Sequence, residues 1–201
     1  MKLSVIITLF NQENLVLRAL DSIPPRNDIE IIVVDDGSSD NSVGSVRDWM
    51  NRHPDMNVIL YEIGEDIGVG KARNIGMDLA TGEYVHHLDS DDWLITDKYE
   101  MVLDSLDTDI VYINLVINNG DVFVLSPDTK HIFCAFTTKF MRRSLIGDTR
   151  CPPKRHAEDW YFNEEIQKKP HTERYSGIVC YHYNHPRKGS LCEEMSNGLH
   201  D

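Results

Sequence analysis

The chain has 201 residues, 41% hydrophobic and 26% charged, enough for one domain with a real core and too few for two comfortable ones. Its formal net charge of −13 and pI near 5.0 argue against broad contact with a nucleic-acid backbone. Local basic clusters remain, at Lys139, Arg142 and Arg143, at Lys154 and Arg155, and at Arg187 and Lys188. No run reaches membrane-span length. Four cysteines (Cys134, Cys151, Cys180, Cys192) without CxxC spacing imply no zinc site and no disulfide framework, so reduced thiols in the cytoplasm are the default.

Residues 1–7 superficially look like a signal sequence, but a single Lys, a short apolar stretch and no small-residue cleavage site favour a buried strand. Residues 3–9 form the continuous apolar run of a strand covered on both faces. Asn11 is placed to cap a helix over 11–23, with Leu15, Ala19, Leu20 and Ile23 on one face and Pro24-Pro25 as its stop. A strand over 30–34, a turn over 35–40, a helix over 42–52 and a strand over 57–63 follow. Residues 70–80 read as a helix stopped by Gly82, and 85–88 as a fourth strand. This alternation predicts a parallel sheet with right-handed crossovers, whose ligands bind at the carboxyl ends of the strands. The acidic clusters at Asp35 and Asp89 fall at those ends.

The second half is less regular. Residues 110–117 and 122–125 read as a hairpin around Asn118-Asn119-Gly120-Asp121. A short helix is expected over 139–145, a helix with acids in its first turn over 157–168, a strand over 178–183, and a loosely ordered tail over 193–201.

The chemistry-bearing feature is Asp89-Ser90-Asp91-Asp92, directly after an apolar strand. Carboxylates packed at a strand end repel each other, and a hard divalent cation, Mg²⁺ or Mn²⁺, suits one or two Asp side chains with phosphate oxygens completing its shell. The plainer reading is a polar turn with an Asp cap. Gly68-Val69-Gly70-Lys71 lacks the spacing and the Ser/Thr of a Walker phosphate loop.

Four segments in order and spacing resemble the family 2 glycosyltransferases, inverting enzymes of the nucleotide-sugar-binding fold called GT-A. They are Ser4 to Asn11, Val33 to Asp40, Gly68 to Gly76, and Gly82 to Asp92; a fifth, His156-Ala157-Glu158-Asp159-Trp160-Tyr161-Phe162, comes later. Many members carry Pro and Tyr where this chain has Thr8 and Phe10. The resemblance implies an α/β fold with a mostly parallel nucleotide-binding sheet flanked by helices over 1–95 and a smaller, irregular acceptor half over 96–201, together one domain. It implies a metal-dependent inverting transferase using a UDP-sugar, with Thr8 and Phe10 near the base and Asp36 accepting the imide N–H of uracil. Asp89 then faces the ribose or the cation, and Asp91 coordinates Mn²⁺ or Mg²⁺. Asp159 is the implied base, with Glu158 positioning it or the acceptor.

Arg73 has two readings, a place near the donor or the aspartates and a surface salt bridge. Asp92 reads as a helix cap for the residues from Trp93 onward, and Trp160 as core in preference to a sugar-stacking wall. His182, His185, Arg187 and Lys188 could close over the diphosphate, and a His could be a third metal ligand. His53, His86 and His87 read as structural. The rivals are a sugar-phosphate nucleotidyltransferase, disfavoured because Leu9-Phe10-Asn11-Gln12-Glu13 lacks Gly and a basic residue, and a non-catalytic nucleotide-sugar-binding module. The expected partners are the donor and a hydroxyl acceptor, with nucleic acid disfavoured and a homo-oligomer open.

Overall fold

The computed structural model describes residues 1–129, 135–153 and 157–186. Cys134, Lys154, Arg155, His156, Arg187, Lys188 and Cys192, and the expected loose tail, lie outside the described residues.

The first four strands, β1 (Leu3–Leu9), β2 (Ile29–Asp35), β3 (Asn57–Glu62) and β4 (Tyr84–His87), are parallel and ordered β3-β2-β1-β4. Helices α1 (Val16–Asp21), α2 (Ser42–Arg52) and α3 (Val69–Leu79) connect them. A two-residue strand, β5 (Trp93–Leu94), and α4 (Thr96–Asp104) follow. The sheet then continues through β8 (Lys139–Arg142), antiparallel to β4, to β6 (Ile110–Ile117), then β9 (Glu173–Tyr183), and ends at β5. The hairpin partner β7 (Val122–Phe123) pairs with β6. Helix α5 (Arg143–Ile146) follows β8, and α6 (Glu158–Gln167) precedes β9.

Alternation along each strand assigns side chains to two cores. Val5, Ile7, Ile31 and Val33 pack with Val16, Leu20, Trp49, Tyr99 and Val102 of α1, α2 and α4. Ile6, Ile32, Val34 and Val85 pack with Ala72, Met77, Phe162 and Ile166 of α3 and α6. Burial on both faces is why these strands read as unbroken apolar runs. His86 and His87 split across the sheet in the same way. His86 is hydrogen bonded to the Tyr99 hydroxyl (2.8 Å) and to the Thr137 carbonyl (3.0 Å), while His87 lies against Phe136.

Several expectations are corrected. The helix expected over 11–23 is confined to α1, because Asn11 adopts a left-handed backbone (φ 52°) and its side chain is engaged elsewhere. The helix expected over 139–145 is the strand β8 followed by α5, since a central position in the sheet overrides local propensity. Residues from Trp93 begin a strand, so Asp92 caps no helix. The β9 strand starts at Glu173, earlier than expected. Gly82 does not end α3, whose C-cap is Ala80; a Cβ at Gly82 would lie 2.6 Å from the Ser4 nitrogen. The hairpin and α2 agree with expectation.

One buried carboxylate ties the start of the sheet together. Glu30, 3% exposed, accepts hydrogen bonds from the Ser4 hydroxyl (2.5 Å) and from the Thr81 (2.6 Å) and Gly82 (3.0 Å) main-chain N–H groups. Burial alone would raise its pKa, but these hydrogen bonds more than offset it and hold the carboxyl below its ordinary range. Such a group stabilises the fold above its unfolded pKa of about 4.3 and loses that contribution as the pH falls through the folded value. Glu30→Gln is expected to cost about 1–3 kcal/mol at neutral pH. In urea titrations, the gap between wild type and variant should be constant above about pH 5 and close on further acidification; a gap that widens in acid contradicts the assignment.

Candidate active site

The loops leaving β1 and β2 are laced to each other. The Asn11 side-chain oxygen accepts the Ser39 N–H (2.8 Å), the Ser38 hydroxyl accepts the Asn11 N–H (2.9 Å), and the Ser42 hydroxyl accepts the Gln12 N–H (2.8 Å). This lacing is why Asn11 does not cap a helix. It leaves Phe10 45% exposed beside the half-buried Thr8 at the end of β1. Asp36 is buried, its N–H donating to the Leu9 carbonyl (2.8 Å) and its Oδ1 accepting the Ile67 N–H (2.9 Å). Burial pushes its carboxyl above the ordinary range, against the Ile67 hydrogen bond. Gly37 (φ +78°) is required here, since a Cβ would lie 2.5 Å from the Glu65 carbonyl carbon.

Across the sheet edge, the acidic loop after β4 meets the start of α6 through one side chain. Arg73, buried on α3, donates from Nη2 to Asp89 Oδ1 (3.3 Å) and pairs through Nη1 with Glu158 Oε1. Its guanidinium lies 5.1 Å over the Phe136 ring. Burial disfavours the charge, yet Asp89 and Glu158 more than offset it, so the pKa of Arg73 lies above its ordinary value. Of the two sequence readings for Arg73, the structure therefore selects the place among the aspartates. Asp89 keeps 34% of its side chain exposed. Its pKa is raised by desolvation, with Arg73 opposing and Asp91 reinforcing.

Asp92 is buried. It accepts the Tyr181 O–H (2.6 Å) and the Asn184 N–H (2.8 Å), and is pushed up to about 8 by burial and then by Asp89 and Asp91. This accumulation of negative charge, countered by the guanidiniums of Arg73 and Arg18, is a state that a divalent cation would relieve. Among the described residues no group of three or more His, Cys, Asp or Glu side chains is disposed to hold a metal ion. Asp89 and Asp91, whose charges reinforce one another, are of the chemical type a hard cation takes when one or two carboxylates are joined by phosphate and water oxygens. His182 belongs to no such group: its ring stacks on Trp93 (3.7 Å) and its Nε2 lies 3.1 Å from Asn118 Oδ1. His185 stacks on Tyr183 at 5.2 Å.

The chain enters α6 through Ala157 in a left-handed conformation (φ 60°), placing Glu158 and Asp159 in the first turn, where the helix dipole favours acids. Glu158 is buried against Arg73, while Asp159 is half-buried and accepts the Trp160 N–H (2.8 Å). Behind them the buried Lys139 donates to Asn163 Oδ1 (2.7 Å), and Asn163 Nδ2 donates to the Asp159 carbonyl (2.7 Å). Trp160 is 42% exposed and edge-on to Tyr161, on the side of α6 away from Phe162 and Ile166, so the core reading for it is corrected. Arg18, Lys139, Asn163 and Tyr181 support the site without having been singled out as site residues. Arg18, Lys139 and Tyr181 act on partners distant in sequence, which no local pattern marks, while Asn163 reaches back one helical turn to Asp159.

The family model described as glycosyl transferase family 2 matches residues 4–169. Glycosyltransferase GlyA of Streptococcus pneumoniae is 39% identical over 221 residues, covering 94% of this chain and 31% of the relative. A poly(ribitol-phosphate) beta-glucosyltransferase of Bacillus spizizenii is 28% identical, covering 98% of this chain and 34% of its own length. The chain thus spans about a third of the length of each of these relatives. The crystal structure of Staphylococcus aureus TarS 1–349 in complex with UDP-GlcNAc superposes with a TM-score of 0.81 at 25% identity, over 96% of this chain and 61% of that one. The fold is thus of the GT-A type, and with the motif-bearing segments inside the matched span the chain belongs to glycosyl transferase family 2.

Proposed function

We propose that the protein is a metal-dependent, inverting glycosyltransferase that moves a sugar from a UDP-sugar to an acceptor hydroxyl. The observation that carries this reading is Arg73 joining Asp89 of the acidic loop to Glu158 at the head of α6, at the carboxyl end of the parallel strands. The UDP-GlcNAc held by the TarS structure supports a uridine-linked donor. In this reading residues 1–95 bind the donor and 96–201 present the acceptor, within one domain that works in the cytoplasm. The thiols of Cys151 and Cys180 are free, which suits a reducing compartment.

The roles follow from charge and position. Asp36, held in place by Ile67, accepts the imide N–H of uracil, while Thr8 and Phe10 flank the base. Asp89 and Asp91 would hold Mn²⁺ or Mg²⁺, which when bound offsets the charge that develops on the departing diphosphate. Arg73 neutralises Glu158 and so leaves Asp159 as the carboxylate able to take the acceptor proton. Attack opposite the leaving group passes through an oxocarbenium-like transition state and inverts the anomeric centre.

Incubation with UDP-sugars and Mn²⁺ should release UDP. Pyrophosphate release from UTP and a sugar phosphate would instead indicate a nucleotidyltransferase, and tight binding without turnover a binding module. Asp91→Asn should abolish metal-stimulated UDP release while leaving the melting temperature unchanged; full activity in that variant removes Asp91 from the metal site. Asp159→Asn should lower kcat by about 100-fold or more with UDP affinity retained. A wild-type kcat in that protein would assign the base elsewhere.

A further inference from the structure

The acidic loop is gripped from outside at three places. The Tyr181 hydroxyl on β9 accepts the Asp89 N–H (3.2 Å) and donates its own proton to Asp92 Oδ2 (2.6 Å). Asp92 Oδ1 accepts the Asn184 N–H just beyond β9 (2.8 Å). From α1, Arg18 Nη2 donates to the Asp91 carbonyl (2.8 Å), its guanidinium lying 3.7 Å over the Trp93 ring, which itself stacks on His182. Cross-strand pairing of Trp93 with His182 and Leu94 with Tyr181 locks the loop's exit to the same strand. Tyr181 and Asp92 are both buried, so this grip is insulated from water.

We propose that Tyr181 and Asp92 are positioning residues for the cation: they fix the main chain of 89–92 so that the Asp89 and Asp91 carboxylates are held ready for one ion. This rests on the reading of those two aspartates as ligands. The Tyr181 oxygen ties the N–H of one ligand residue to the carboxylate of the residue following the other. Without that oxygen, the Asp89 N–H and Asp92 Oδ2 lose a common partner, and the loop must be ordered at the expense of cation binding. Groups that orient metal ligands typically change metal affinity by about 10- to 100-fold when removed.

The test is Mn²⁺ uptake by the full chain in the presence of UDP, followed by electron paramagnetic resonance of free Mn²⁺, together with the half-saturating Mn²⁺ for UDP release. The variants are Tyr181→Phe and Asp92→Asn. The control is Tyr84→Phe, which removes another tyrosine hydroxyl, one that donates to the Thr108 carbonyl (2.9 Å) and takes no part in the grip. Tyr181→Phe is expected to weaken Mn²⁺ binding about tenfold, with kcat at saturating Mn²⁺ within about threefold of wild type and a melting temperature like that of Tyr84→Phe. Asp92→Asn should shift Mn²⁺ affinity in the same direction. Unchanged Mn²⁺ affinity in both folded variants overturns the proposal, as does an equal shift in Tyr84→Phe. Failure of both Tyr181→Phe and Asp92→Asn to fold also overturns it, because the pair would then serve the fold alone. If wild type with UDP takes up no Mn²⁺, the metal assignment itself falls; if wild type binds and the variants match it, only the present inference falls.

Discussion

The arrangement of the site depends on one buried cation placed between two carboxylates. A guanidinium taken out of water is tolerated only when its charge and donors are matched, and Arg73 is matched by Asp89 on one side and Glu158 on the other. The fork geometry matters as much as the charge. Two nitrogens of one planar group address two carboxylates from different elements, a task that the single ammonium of Lys cannot copy. Through this side chain α3 sets the distance between the loop after β4 and the head of α6. The donor and acceptor sides of the proposed reaction are therefore registered to each other by an electrostatic contact.

That contact does not balance the site. Asp36, Asp89, Asp91, Asp92, Glu158 and Asp159 converge on the ends of the parallel strands, and the carboxyl groups of Asp36, Asp89 and Asp92 are all raised above their ordinary range by desolvation. Residual negative potential at the mouth of the proposed nucleotide site would repel a diphosphate. The same potential becomes useful once a divalent ion enters, because the ion is attracted by the aspartates and in turn attracts the phosphates. In the proposed reaction that ion would reconcile the acidity of the loop with an anionic donor.

The legible parts of the sequence were those whose cause is local. β1 spans the expected residues because a strand buried on both faces must be apolar throughout, and α2 spans them because its periodicity and flanking turn agree. The acidic clusters at 89–92 and 158–159 were visible for the same reason: their carboxylates are neighbours in the chain. What could not be read lies at long range. Lys139-Phe140-Met141-Arg142 carries two cations in four residues, yet it occupies a buried position between β4 and β6, where Lys139 finds Asn163. The partners of the acidic loop, Arg18 and Tyr181, stand 73 and 89 residues from the atoms they bind. Asn11 had the composition of a cap and serves instead to join two loops, a choice made by the sheet that brings residues 38–40 alongside it.

Long-range ties also run through α3. Gly76 lets it lie against Ile6 of β1, where a Cβ would collide with the isoleucine side chain. Arg73 reaches the acidic loop and α6 from one side of the helix. The next residue, Asn74, grips the main chain of Cys151 at both ends, accepting its N–H (2.8 Å) and donating to its carbonyl (3.0 Å). Two adjacent residues thus hold both the first turn of α6 and the main chain at Cys151. A shift of α3 outward from the sheet would move Glu158 and its neighbour Asp159 with it. Reactions that depend on in-line attack lose rate steeply with displacements near an ångström. A glycine facing β1 would in that sense be part of what sets the reacting distance in the proposed transfer.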